Sequence, residues 1–181
     1  MEALSELLIF THRNVISGLF ISVLLIALVR KYFEKIDTLV AIQIIRWLLI
    51  CYSAGVVINF LLSFIATQEP YPAVFWERAT GDYWFAYMIM LVGSISPLLL
   101  LVRKLGNNVY CLALVALLMD IGSLMETFII RVVSMHRDYV NDFLPWDREI
   151  AMALQGLIMG IVILVIGNLI YQAKGKMVAL K

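Results

Sequence analysis

Five apolar stretches, each close to the length that crosses a lipid bilayer, leave this chain few ways to fold. A hydrocarbon core of about 30 Å takes roughly 20 helical residues. Residues 7–30, 39–66, 83–102, 109–134 and 150–171 each reach that length. In hydrocarbon every backbone N–H and C=O needs a partner within the protein, which selects helices for runs of this kind. The expectation is an all-α, polytopic membrane protein in one domain over residues 1–181. Its five transmembrane helices would form a four-helix bundle plus one helix. The second and fourth runs are long enough to tilt or to project beyond the hydrocarbon.

The apolar excess is spread over the whole chain. Hydrophobic residues make up 63% and charged residues 15%, against about 25% charged in an average soluble domain. That distribution excludes a soluble domain on a single anchor. The net charge is +1, and no basic stripe alternates with aromatics, so no nucleic-acid face is expected. Cys51 and Cys111 sit within apolar runs, without a CxxC or a Cys/His cluster, and read as packing residues; no metal site is expected. No Gly-rich phosphate loop, nucleophile elbow or HExxH occurs in the sequence. Glu2 and Glu6 precede the first apolar run and no basic n-region is present, so the first span should be retained.

Charge between the runs suggests an orientation. Arg30, Lys31, Lys35, Arg103, Lys104, Lys174, Lys176 and Lys181 fall on one side. Arg78, Arg137 and Arg148 fall on the other, with Arg13 and Arg131 at helix ends. The positive-inside rule then places the C-terminus in the cytoplasm and the N-terminus outside. Trp76, Tyr83, Trp84, Tyr139 and Trp146 gather on the outer face as an interfacial aromatic belt. The Pro- and Gly-punctuated loop over residues 68–82 lies on that surface. Pro97 should kink the third span and free a carbonyl. Gly156 and Gly160 form a GxxxG on the fifth, read as a close helix contact.

Four ionisable residues fall inside or at the ends of these runs: Arg46, Asp120, Glu126 and Arg131. Such a group costs from about 2.5 to well over 10 kcal/mol in a membrane span, so each needs a partner, water or a function. At 100° per residue Asp120, Ser123, Thr127 and Arg131 share one face of the fourth span, which should point into the bundle, while Glu126 lies roughly 120° around. Two readings of the carboxyls stand level. In one, Asp120 is neutral or hydrogen-bonded to another helix and Glu126 pairs with Arg46, Arg131 or a loop donor; in the other, they contact a proton or a quinone. Arg46 is read as snorkelling towards the cytoplasmic interface. His12 and His136 near the outer surface could in principle hold a b-type haem between two helices. His136 borders a polar loop and Arg13 follows His12, so ordinary interfacial histidines outweigh the haem.

The segment "METFIIRVVSMHRDYVNDFLPW" resembles a run in polysulfide-reductase membrane subunits of the NrfD type, especially the large quinol-oxidising membrane subunits of bacterial alternative complex III. Glu126, Ser134, His136, Arg137, Asp138, Leu144 and Pro145 match that run, with extra residues around Val140–Asp142. "GDYWFAYMIMLVGSISP" is similar to another through Gly81, Tyr83, Trp84, Ala86, Tyr87, Met90, Ser96 and Pro97. "SGLFISVLLIALVRKYF", with Ile36–Asp37, looks like the corresponding upstream helix and turn. Thr127 replaces the arginine that usually follows the glutamate, and Arg131 adds a charge one turn later. Asp120 stands where the family usually has asparagine, and Asn59 where it has glutamate.

The resemblance covers only the second of the family's two four-helix bundles plus the preceding helix. The family's quinone pocket belongs mainly to the first bundle, so no quinone ligand is carried over. What the resemblance implies is a membrane subunit of a quinone-linked respiratory complex in a bacterial inner (plasma) membrane. The chain would itself be at most a non-redox part of that oxidoreductase, with a quinone as its one candidate cofactor. Asp120, Glu126, Arg131, His136 and Asp138 are the candidate proton or quinone contacts. Trp76, Arg78, Tyr83, Trp84, Arg137 and Trp146 are the candidates for docking an extrinsic iron–sulfur or cytochrome subunit. Other membrane subunits and lipid complete the expected partners. The alternatives are a non-catalytic assembly or packing protein and a small proton- or ion-conducting subunit.

Overall fold

The computed structural model describes residues 2–33, 36–66, 76–77, 79–81, 84–136 and 147–179. Of residues 2, 66, 86, 122–123, 126–136, 147–149 and 174–179 it describes the backbone alone. The elements are α1 (Glu2–Asn14), a 3-10 turn (Ile16–Gly18), α2 (Leu19–Tyr32), α3 (Leu39–Ala66), α4 (Trp84–Ile95), a 3-10 segment (Ser96–Leu101), one helical turn (Arg103–Gly106), α5 (Val109–His136) and α6 (Asp147–Ala179). The architecture is all-α, with no strand among the described residues. Among the described residues, three helices are long and apolar enough to cross a membrane, over Ala3–Tyr32, Leu39–Ile65 and Ile150–Ala173. Two shorter apolar helices cover Tyr87–Leu101 and Val109–Ile121.

Helix boundaries follow local chemistry. Asp37 Oδ1 accepts a bond from the Leu39 N–H at 2.7 Å, and Asn108 Oδ1 accepts one from the Tyr110 N–H at 2.9 Å. Each satisfies an amide that the first turn of a helix leaves without a carbonyl. The third expected span changes character at Pro97. A proline lacks the N–H that continues the α ladder, and the chain tightens to 3-10 over Ser96–Leu101 before turning out at Val102. The first expected span starts earlier than residue 7 and is interrupted, because the backbone tightens at Ile16–Gly18 between α1 and α2.

That interruption lies where two helices approach most closely. A Cβ on Gly18 would come within 2.8 Å of the Gly156 backbone N, and one on Gly160 within 3.1 Å of the Ser22 Cα. Gly18 and Ser22 on one side and Gly156 and Gly160 on the other form two small-residue ridges, each spaced by four. They run parallel and bring backbones together as small residues do in helix pairs. The Ser22 hydroxyl crosses the seam and donates to the Gly156 carbonyl at 2.7 Å. The GxxxG expectation is met by α2, which packs more extensively on α6 than on any other helix.

The core follows the same periodicity. Leu19, Ser22, Val23 and Ile26 are buried on α2; Ile42, Ile45, Leu49 and Ser53 on α3; Leu112, Val115, Ala116 and Asp120 on α5. These spacings of three and four are one face of a helix. The opposite faces are apolar too. Trp47, Ile58, Leu61 and Ile65 on α3, and Ile158 and Leu169 on α6, are exposed. A soluble monomer rarely presents that much contiguous apolar surface. Cys51 belongs to this outer face rather than to the interior, which corrects the packing role expected of it; Cys111 is half-buried.

Candidate functional site

Buried polar groups meet two different fates here. Arg46 is the first case. Its Nε donates to the Leu100 carbonyl at 2.8 Å and its Nη2 to the Leu101 carbonyl at 3.1 Å. Those oxygens end the 3-10 segment behind Pro97, where a helix terminus leaves carbonyls without partners and carries partial negative charge. Gly106 leaves the space: a Cβ there would collide with the Arg46 side chain and the Leu100 carbonyl. The guanidinium also lies 5.9 Å from the Trp47 ring centroid. Arg46 therefore does not snorkel. It is turned inward because the carbonyls it serves are inside.

Ser53 and Ser96 follow the same pattern. Ser53 donates to the Ser94 carbonyl at 2.6 Å and Ser96 to the Gly93 carbonyl at 2.9 Å. Between them these side chains tie α3 to α4 and satisfy the backbone around the proline.

Asp120 is the second case. It is 3% exposed, and its Oδ1 has no hydrogen-bond partner among the described residues. An unpaired polar atom in an apolar interior costs several kcal/mol on typical transfer scales, of order 2–7. Tyr52 on α3 lies within electrostatic reach of Asp120. The Tyr52 ring in turn lies against His12 on α1, with centroids 5.8 Å apart and planes tilted by 32°. Helix α1 reaches this position by packing along α3, with Leu8 against Gly55 one turn away. The ring pair joins α1 to α3, and Asp120 lies on the buried face of α5. Val15, Tyr52 and Met119 pack at the edge of the hydrophobic core.

Of the residues expected to contact a proton or quinone, Asp120 is the one whose surroundings are described. Glu126, Arg131 and His136 lie on the backbone of α5, with their side chains outside the described residues, as are those of Ser123 and Thr127. Asp138 lies outside them altogether, as do Arg78, Tyr83, Arg137 and Trp146 from the docking set. Trp76 and Trp84 are exposed, at 62% and 52%, and Trp84 meets Phe85 edge-on at 5.9 Å. His12, taken from sequence as an interfacial residue, is half-buried against Tyr52. Tyr52 escaped the sequence reading. The one signal for it was position: it falls three residues after Leu49 and seven after Ile45 on the buried stripe of α3.

The chain matches no family model, no curated protein and no solved structure.

Proposed function

We propose that this chain is an integral membrane subunit of a quinone-linked respiratory electron-transfer complex, of the kind suggested by its resemblance to NrfD-type second bundles. In this reading it spans a bacterial inner membrane five times, N-terminus outside, and anchors the assembly. Its outer loops dock an extrinsic iron–sulfur or cytochrome subunit, and the redox centres belong to other polypeptides. The observation that carries the reading is Asp120. A carboxyl enclosed by helices, with an oxygen that no described residue satisfies, is a costly feature to keep in an apolar bundle unless it serves chemistry. Glu126, Arg131, His136 and Asp138 remain candidates from the same region of sequence. The apolar outer faces of α3 and α6 supply surface for lipid and for neighbouring membrane subunits.

The test is purification from native membranes in mild detergent, followed by quinol-linked turnover. The expected result is co-purification with iron–sulfur and multi-span subunits, and a drop in turnover of about a hundredfold in Asp120→Asn, the scale of a lost acid–base group. A chain that isolates only as a homo-oligomer, with no quinol-linked activity in its fractions, would defeat the proposal. A second reading, a packing or assembly protein, draws on Arg46, Ser22, Ser53 and Ser96, all of which bond backbone carbonyls. It predicts the same co-purification but unchanged turnover in Asp120→Asn.

A further inference from the structure

We propose that the outer face of α3 is the seam of a parallel pair formed by two copies of this chain. The inference goes beyond the respiratory reading and needs only that α3 crosses the membrane.

The core stripe of α3 includes Ile42, Ile45, Leu49 and Ser53, all buried. On the far side a second stripe runs the length of the helix. It begins with Val40, Ile44, Trp47 and Cys51 and continues through Ala54, Ile58, Leu61 and Ile65. The steps alternate four, three, four, three without a break, and none of these residues is buried. Trp47, Ile58, Leu61 and Ile65 are each more than half exposed. An α-helix repeats every 3.6 residues, so a stripe kept at 3.5 drifts around the helix unless a partner winds with it. From Val40 to Ile65 the stripe covers nearly four heptads and about 38 Å of helix. It carries no charged side chain.

Apolar side chains on a membrane helix suit lipid as well as protein, so composition alone does not decide what covers them. Shape does. An open groove of about 420 Å³ lies on this face, lined by Val40, Gln43, Ile44, Trp47, Leu48 and Cys51. In a coiled coil each side-chain knob enters a hole made by four residues of the facing helix. Such a hole takes residues at i, i+3, i+4 and i+7. Val40, Gln43, Ile44 and Trp47 make one, and Ile44, Trp47, Leu48 and Cys51 make the next. Among the described residues, the lining of the groove is these two holes and nothing more.

What fills them follows from the direction of the chain. A polytopic chain inserts in one orientation, so two copies in one membrane meet with their α3 helices parallel. A twofold axis along the membrane normal sets each residue of the stripe opposite its own counterpart at the same depth. In that register Ile44 of the second copy enters the first hole and Trp47 of the second copy enters the next. One stripe supplies both knobs and holes, which is what a contact between identical faces requires. Cys51 and Ala54 follow the Trp47 layer and are small enough to let the backbones come close. No like charges are brought together. A lipid chain would fill the groove without using the repeat that continues beyond it.

Cys51 provides the probe. The twofold axis places it against Cys51 of the second copy, within the Cα separation of roughly 4.4–6.8 Å that a disulfide spans. The full chain is reconstituted in phosphatidylcholine vesicles at high lipid dilution and oxidised with copper phenanthroline. A covalent dimer should form, unaffected by Cys111→Ala and lost in Cys51→Ala. In the Cys51→Ala background, Ala54→Cys should restore it, whereas Ile158→Cys, at an exposed position on α6, should not. Trp47→Ala should weaken association by about tenfold, with unchanged thermal unfolding showing that the variant folds. Three results overturn the proposal. One is no covalent dimer although maleimide labels Cys51. Another is equal yields at Ala54→Cys and Ile158→Cys, the mark of chance collision. The third is a cross-link from Cys51 to a different polypeptide in native membranes, which would give the seam to another subunit. A covalent pair without co-purifying redox subunits would keep the seam and discard the respiratory assignment.

Discussion

Arg46 and Asp120 are both buried ionisable groups in apolar helices, and the fold treats them in opposite ways. Arg46 reaches two carbonyls that the break behind Pro97 has released, so its charge completes the backbone of a neighbouring element. Asp120 sits at the end of the core face of α5 with an oxygen that no described residue satisfies, and Tyr52 lies within electrostatic reach. A buried charge is thus a structural part when the backbone around it lacks partners. It is a candidate for chemistry when the deficiency is its own. The comparison is open to breakage from both ends.

The largest expected effect is at Arg46. Replacing it with Met removes two charge-assisted bonds and strands two carbonyls in an apolar half of the bundle, a loss of about 3 kcal/mol. Reversible unfolding in detergent would measure it, and Arg46→Lys should recover only part, since an ammonium does not reproduce the spread of the guanidinium donors. A stability equal to that of the unsubstituted chain would return Arg46 to the role of a solvent-seeking charge. Gly106→Ala comes next. Its methyl would occupy the space that the guanidinium uses, at a cost of about 2 kcal/mol, typical of overpacking. If Arg46 serves the Leu100 carbonyl, combining the two substitutions should cost less than their sum, because they act on one contact.

The sequence made the helices legible and left their partnerships obscure. Run lengths marked out every long helix, and Pro97 and the Gly156–Gly160 pair pointed to a backbone break and a close seam that both exist. These are local signals, written within a turn or two of the residues they affect. Arg46 was misread because the carbonyls it bonds lie more than fifty residues away. Helical spacing around Asp120 directed attention along its own helix to Ser123, Thr127 and Arg131. The group within its electrostatic reach, Tyr52, comes from another helix, and the Tyr52 ring in turn meets His12 from a third. A tyrosine inside an apolar run carries no pattern that tells which neighbouring helices its ring meets.

Ser22 gives a smaller effect that calibrates the seam against the two charged sites. Its hydroxyl donates to the Gly156 carbonyl at 2.7 Å and sits 3.3 Å from the carbonyl of Gly18. A serine bonding across two closely packed helices contributes about 1 kcal/mol. Ser22→Ala should therefore lower unfolding stability by that amount, without altering the response of Asp120 to pH. A shift in that response would mean that the α2–α6 seam and the surroundings of Asp120 move together.

The smallest effect on stability is expected at Asp120, and it is the sharpest test of the comparison. Removing a buried charge whose surroundings do not pair it tends to be neutral or stabilising, whereas removing one that satisfies its neighbours is not. Asp120→Asn keeps the shape of the side chain and takes away the charge and the exchangeable acid proton. Its unfolding free energy should match that of the parent to within about 0.5 kcal/mol, or exceed it. A loss as large as that at Arg46 would show that the carboxylate holds the bundle together. Unchanged stability with lost proton exchange would separate the two buried charges by what each does: one keeps a helix end closed, the other holds a proton.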